Sequence, residues 1–145
     1  MTVFVDGDGC PVVRIAERLC REFAVPCTIV CDTSHALVSD YAAVLVCDRG
    51  ADSADYRIVS LLQPGDLCIT QDYGLAALCL ARGAQALHQD GMAYTGENID
   101  ALLNARALSA RARRGGAHLR GPKRRTAAQD AAFAAALRGI LEKRQ

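Results

Sequence analysis

The chain reads as an α/β protein, a three-layer α/β/α arrangement around a central, mostly parallel sheet. Two observations predict it. Apolar runs of strand length alternate with stretches of helical periodicity along the chain, the pattern of a parallel sheet covered on both faces. The length, 145 residues, suits one domain with a proper core and is short for two. We therefore expect a single domain over residues 1–145, with no internal repeat and no low-complexity linker.

Val3–Val5 reads as a buried strand, followed by the loop Asp6-Gly-Asp-Gly-Cys10. Pro11 suits a first helical turn, and Val12, Ile15, Ala16, Leu19 and Phe23 continue at helical spacing. Cys27–Cys31 (CTIVC) and Ala43–Cys47 (AVLVC) read as the second and third strands, with an ambiguous polar stretch, Asp32–Asp40, between them. Ser53–Leu62 reads as a helix ended by Pro64-Gly65, Leu67–Thr70 as the fourth strand, and Tyr73–Arg82 as a helix closed by Gly83. Gln85–His88 reads as a short fifth strand. Thr95 caps a helix containing Ile99, Leu102 and Leu103. Gly115-Gly116 and Gly121-Pro122 break helices, so Arg111–Arg125 reads as a loop, part of a basic segment at about 106–125. A final helix at about 127–143 is announced by a capping box, Thr126 with Gln129, and by the stripe Phe133, Leu137, Ile140 and Leu141.

Composition narrows the function. No apolar run approaches the roughly 20 residues of a membrane span, and the Met-Thr start with its three-residue apolar run does not resemble a signal peptide. The expectation is a cytoplasmic protein with no membrane partner. Its seven cysteines are odd in number, form no C-x-x-C pair and sit largely in apolar surroundings, which reads as reduced thiols used as small hydrophobes. Cys27 and Cys31 would share a strand face, but further zinc ligands are lacking nearby. The net charge of +1 hides a split. Residues 1–105 carry 14 acids and 6 bases (−8), and residues 106–145 carry 2 acids and 11 bases (+9). An acidic body suits cations, and a basic region suits anions.

Ligands of open α/β sheets bind outside the carboxyl ends of the strands. Asp6 and Asp8 follow the first predicted strand, Asp48, Asp52 and Asp55 the third, and Asp72 the fourth. Asp6 and Asp8 share a direction if the strand runs through them. Asp52 and Asp55 share a helix face. Gly7 and Gly9 allow close approach to the backbone. Any one of these aspartates could be a helix cap, and Asp52 and Asp72 stand where an N-cap belongs. As a set they would repel one another unless protonated or neutralised by a cation. All-oxygen ligation favours Mg²⁺ or Mn²⁺, either of which can activate water and hold a phosphate oxygen.

Arg106, Arg111, Arg113, Arg114, Arg120, Lys123, Arg124 and Arg125 fall in twenty residues without an acid. This is a candidate phosphate-contacting segment for RNA or DNA, although a solvated basic surface has the same composition. Few aromatics accompany it, so base stacking is not indicated. Cys10 stands at a predicted helix N-terminus, where the dipole lowers a thiol pKa. The nearby aspartates oppose that, which favours packing. His35 and His88 are candidates for acid–base chemistry or phosphate binding, with an unremarkable loop role the plainer reading. His118 adds to the basic segment, and Asp130 suits a helix start.

The segments VDGDGCPV (Val5–Val12), GADSAD (Gly50–Asp55), GDLCITQDYGLAALCL (Gly65–Leu80) and RALSARARRGGAHLRGPK (Arg106–Lys123) occur in this order. The combination resembles the YaiI/YqxD family of uncharacterised bacterial proteins, related to the PIN-like nuclease superfamily, over nearly the whole chain. The resemblance implies a PIN-like α/β/α fold. It also implies a metal site of Asp6, Asp8, Asp55 and Asp72 supported by Asp52. Where this chain has Gly7 and Gly9, the family usually has alanine, which predicts a more flexible loop with the site retained.

Three functions fit. One is a metal-dependent nuclease acting on RNA or on single-stranded or structured DNA. There the four aspartates are catalytic, and Arg111, Arg113, Arg114, Arg120, Lys123, Arg124 and Arg125 position the backbone. The second is a non-catalytic metal- and nucleic-acid-binding protein. The third is a D-x-D phosphatase with Asp6 as nucleophile, for which Lys123 and Lys143, the only lysines, are poorly placed. The oligomeric state is not legible.

Overall fold

The computed structural model describes residues 1–32, 37–48, 53–116 and 124–144. Five strands, β1 (Val3–Asp6), β2 (Cys27–Asp32), β3 (Ala43–Cys47), β4 (Leu67–Ile69) and β5 (Gln85–Leu87), form one sheet in the order β3-β2-β1-β4-β5. Every pairing is parallel. Five helices, α1 (Val13–Glu22), α2 (Ser53–Leu61), α3 (Tyr73–Ala81), α4 (Gly96–Arg114) and α5 (Ala127–Lys143), cover the two faces. The chain moves outward from β1 to β3, then crosses back to place β4 on the other side of β1. The strand order therefore reverses between β1 and β4, and a crevice opens at their carboxyl ends.

Side-chain alternation along the strands separates two cores. Val3 and Val5, Cys27 and Ile29, and Leu67 and Ile69 pack with Leu19 of α1 and Phe133, Leu137 and Leu141 of α5. Phe4, Val30 and Cys68 face the other way, onto Ile58 of α2, Leu75 and Cys79 of α3 and Ile99 of α4. The predicted stripe of α5 is thus its buried face, with Ile140 at the margin. All seven cysteines are free thiols, five of them buried, as the apolar reading expects.

The predicted capping box of Thr126 with Gln129 forms, and Thr95, expected as a cap, forms a second box with Asn98. The basic segment departs from expectation. It is not a loop from 106 or 111: α4 continues to Arg114 and ends only at Gly115-Gly116, where Gly116 adopts φ +90°. The run ARALSARARR is rich in Ala, Leu and Arg, which lose little freedom in a helix. Residues 117–123 lie outside the described part of the chain.

Candidate functional site

Three elements build the site. β1 runs one residue beyond the predicted strand, so Asp6 ends it as an in-line residue. Gly7 donates its N–H to the Val30 carbonyl at 2.8 Å. A Cβ at Gly7 would stand 2.9 Å from Ile29 Cγ2 and 3.2 Å from that carbonyl. The position is closely packed against β2, contrary to the expected slack loop, whereas Gly9 turns at φ +67°. Asp8 is thereby aimed across the end of β2, where both of its carboxylate oxygens accept from the Asp32 N–H, at 3.0 and 3.2 Å. From β4 the chain delivers Thr70, whose hydroxyl donates to Asp6 Oδ2 at 2.8 Å and accepts from the Asp72 N–H at 2.9 Å. The buried Tyr94 hydroxyl in turn donates to the Thr70 carbonyl. Asp72 caps α3, its Oδ1 accepting from the N–H groups of Gly74 (2.8 Å) and Leu75 (3.2 Å).

Asp6, Asp8, Asp55 and Asp72 line one cleft of about 300 Å³, together with Asp32, Asp48 and Gln71. The four aspartates singled out by sequence are thus brought together. Asp52 and His35 lie outside the described residues. Asp32 was missed, because the second strand was ended one residue early. The signal was available: β2, like β1, ends in aspartate. Thr70 and Gln71 were also missed, since no residue-type pattern distinguishes a positioning threonine.

Electrostatics mark Asp6 most strongly. Burial pushes its carboxyl up to about 6, Thr70 partly opposes this, and Asp8 and Asp72 add repulsion. The donors are oxygen throughout, which suits a hard divalent cation. Among the described residues, no group of three or more His, Cys, Asp or Glu is arranged to hold a metal ion. The donor chemistry fits Mg²⁺ or Mn²⁺.

The remaining candidates sort clearly. Cys10 is half-buried against the α1–α5 core, and burial pushes its thiol up, in keeping with packing and against a nucleophile. His88 accepts from the Asp90 N–H at 3.0 Å and meets Tyr94 edge-on. Burial lowers its pKa, with Asp90 opposing and Arg125 reinforcing. Arg111, Arg113, Arg114 and Arg124 are exposed; Arg120, Lys123 and His118 lie outside the described residues. Arg125 is not a free surface cation. It donates to Asp130 and Asp90, both at 2.6 Å, and to the Gln89 carbonyl at 2.7 Å. Asp130, expected only to favour the helix start, is one end of that network.

Comparison with known proteins agrees with the motifs. The family model described as the uncharacterised YaiI/YqxD family matches residues 4–143. The chain belongs to the YaiI/YqxD family. It is similar to a UPF0178 protein of Clostridium acetobutylicum, 43% identical over 143 residues and covering 97% of each chain. It is also similar to UPF0178 proteins of Exiguobacterium sibiricum (46%, covering 92% of this chain and 91% of that one) and Enterococcus faecalis (47%, covering 85% of each). Among solved structures, a crystal structure of a Rae1 (YacP) mutant from Bacillus subtilis aligns with a TM-score of 0.47 and 14% identity, covering 99% of each chain.

Proposed function

We propose that this family member is a PIN-like, Mg²⁺- or Mn²⁺-dependent nuclease that hydrolyses phosphodiester bonds. The observation that carries the reading is the convergence of Asp6, Asp8, Asp55 and Asp72 on one cleft where the strand order reverses. The family resemblance adds Asp52, outside the described residues, to the set. A divalent cation held there supplies activation of water and neutralisation of phosphate charge. The protein's own part is positional. Thr70 fixes Asp6 and the backbone of Asp72 at once, while the α3 cap orients the Asp72 carboxylate. Arg106 stands 3.7 Å from Asp72 Oδ1 at the cleft edge, placed to meet a phosphate. Arg113 follows seven residues later on the same helical stripe, about 10 Å along the axis. Basic residues of α4 thus offer a path for a nucleic-acid backbone leaving the cleft.

The test is cleavage of labelled RNA and DNA in Mg²⁺, Mn²⁺ or EDTA, comparing wild type with Asp6→Asn and Asp72→Asn. Asparagine caps helices as well as aspartate does, so Asp72→Asn preserves α3. The expected result is metal-dependent cleavage that falls at least a hundredfold in both variants (a magnitude on the order of losing one electrostatic contact). Equal cleavage by wild type and variants would overturn it. The exposed Arg111, Arg113 and Arg114 of α4 serve equally well, as second reading, a protein that binds cation and nucleic acid without turnover. Metal-dependent binding with no cleavage across the panel would select it. Of the two lysines open to the phosphatase reading, Lys143 lies with Met1 and Gln85 at the opposite end of the strands, and Lys123 lies outside the described residues.

A further inference from the structure

Beside the acidic cleft lies a larger one of about 570 Å³, within the size range of small-ligand sites. Asp55 and Asp72 line both. Beyond them the lining changes character. Val59 of α2 and Leu75 and Leu78 of α3 give it apolar walls, and Tyr56 and Arg106 stand among them. Tyr56 and Val59 are one turn apart on α2, as are Leu75 and Leu78 on α3, so each helix presents one apolar stripe to the groove. Tyr56 is 77% exposed and Leu78 52%. An aromatic ring and a leucine left in water beside a polar site are the composition of a ligand groove.

Gly74 sits where the clefts meet. A Cβ there would lie 3.2 Å from Asp72 Oδ1 and 3.9 Å from Arg106 Nη1. A side chain would fill the junction, and glycine keeps it open.

An occupant must offer a flat face to an aromatic ring and aliphatic walls, and carry an anion at one end beside Arg106. It must also continue into a site suited to phosphate. A nucleobase with its phosphate meets all these demands. In a duplex both faces of a base are covered by its neighbours, so only an unpaired base could enter. We propose that this groove binds an unpaired nucleobase of a single-stranded substrate, stacked on Tyr56, with Arg106 holding the phosphate that links it to the acidic cleft. This rests on the nuclease reading above and deepens it by naming the substrate class.

The probes are a fluorescent single-stranded oligothymidylate, an abasic sugar–phosphate strand of equal length and charge, and a duplex. Binding is followed by anisotropy in Ca²⁺, and label integrity is checked afterwards. The full-length wild type should bind the base-bearing strand at least tenfold more tightly than the abasic strand or the duplex. Tyr56→Ala should remove most of that preference, roughly tenfold, without changing affinity for the abasic strand; Tyr56→Phe should keep it. Gly74→Ala should weaken the base-bearing strand several-fold while α3 stays folded, since alanine is the better helix former. Equal affinity for base-bearing and abasic strands, unchanged binding by Tyr56→Ala, preference for duplex, or no binding of any strand would each overturn the proposal. The nuclease reading is judged separately by cleavage. Cleavage without a Tyr56-dependent base preference sinks the groove alone, and base preference without cleavage sinks the nuclease reading alone.

Discussion

Asp6 is the residue on which burial and repulsion act together, and its behaviour follows from its place at the end of the central strand. In an unfolded chain its carboxyl would titrate near 3.8; in the fold burial carries it to about 6. The folded state therefore holds this proton more tightly than the unfolded one. The stability so gained is complete below the unfolded value and is lost as pH rises through about 6. Ionising Asp6 at neutral pH then costs the fold up to about 3 kcal/mol. Asn keeps an oxygen to accept from Thr70 and carries no charge. Asp6→Asn should accordingly raise the melting temperature at pH 7.5 by several degrees and leave it nearly unchanged at pH 4. Equal shifts at both pH values in thermal denaturation would show that the carboxyl is not strained. A cation bound beside Asp6 would favour the carboxylate and lower that value, so cation-dependent cleavage should fall in acid at a pH that moves down as the cation concentration rises. Asp6, Asp8, Asp55 and Asp72 were legible because they follow predicted strands. Thr70 was not, because its hydrogen bond to Asp6 exists only once β1 and β4 are neighbours.

At the scale of elements, the attachment of α5 is held by a polar clamp as well as by its apolar stripe. Arg125, just before the Thr126 cap, bonds Asp130 on α5 and reaches back to Asp90 and the Gln89 carbonyl after β5. Gly91 lets that turn lie against the helix: it adopts φ +94°, and a Cβ there would stand 2.7 Å from the Ala132 carbonyl. Arg125 is 20% exposed on its side chain, so its pairs lie between surface pairs and fully buried ones. Arg125→Gln should cost about 1–3 kcal/mol in urea denaturation and leave cleavage below the melting range nearly intact. Loss of nucleic-acid affinity with unchanged stability would instead return Arg125 to the phosphate-contacting set. This role was hidden in the sequence. A run of basic residues does not reveal which member is paired, and Asp90 lies 35 positions away. The Thr126 capping box was legible because its partner Gln129 is three residues away; at Thr95 only the cap was legible, since Asn98 stands where the pattern has Glu or Gln. α4 runs past the predicted loop start at Arg111 because the first helix breaker is Gly115, and the Ala, Leu and Arg before it favour helix.

For the molecule as a whole, the alternation of strands and helices sufficed to predict the layers and the parallel sheet, since that pattern has few compact solutions. The strand order was not legible; pairing across the sheet depends on packing between segments far apart in sequence. That order builds the candidate site, because the reversal between β1 and β4 gathers the carboxylates into one cleft. It also gives meaning to the charge split. An acidic body repels a polyanion everywhere except where cations are held or arginines project. The exposed arginines of α4 offer such a place, starting with Arg106 at the cleft and continuing with Arg113 on the same stripe and Arg114 beside it. Binding to single strands should therefore weaken steeply with salt, each neutralised phosphate adding about 0.7 to the logarithmic slope. Arg113 and Arg114 together changed to Gln should lower the slope by about 1.4, with Asp72 and the cleft untouched. Cleavage by that variant should suffer mainly through a higher KM, because positioning is lost and the site is not. An unchanged slope would mean that the nucleic acid leaves the cleft by another route, and a lost kcat would mean that α4 reaches into the reaction itself.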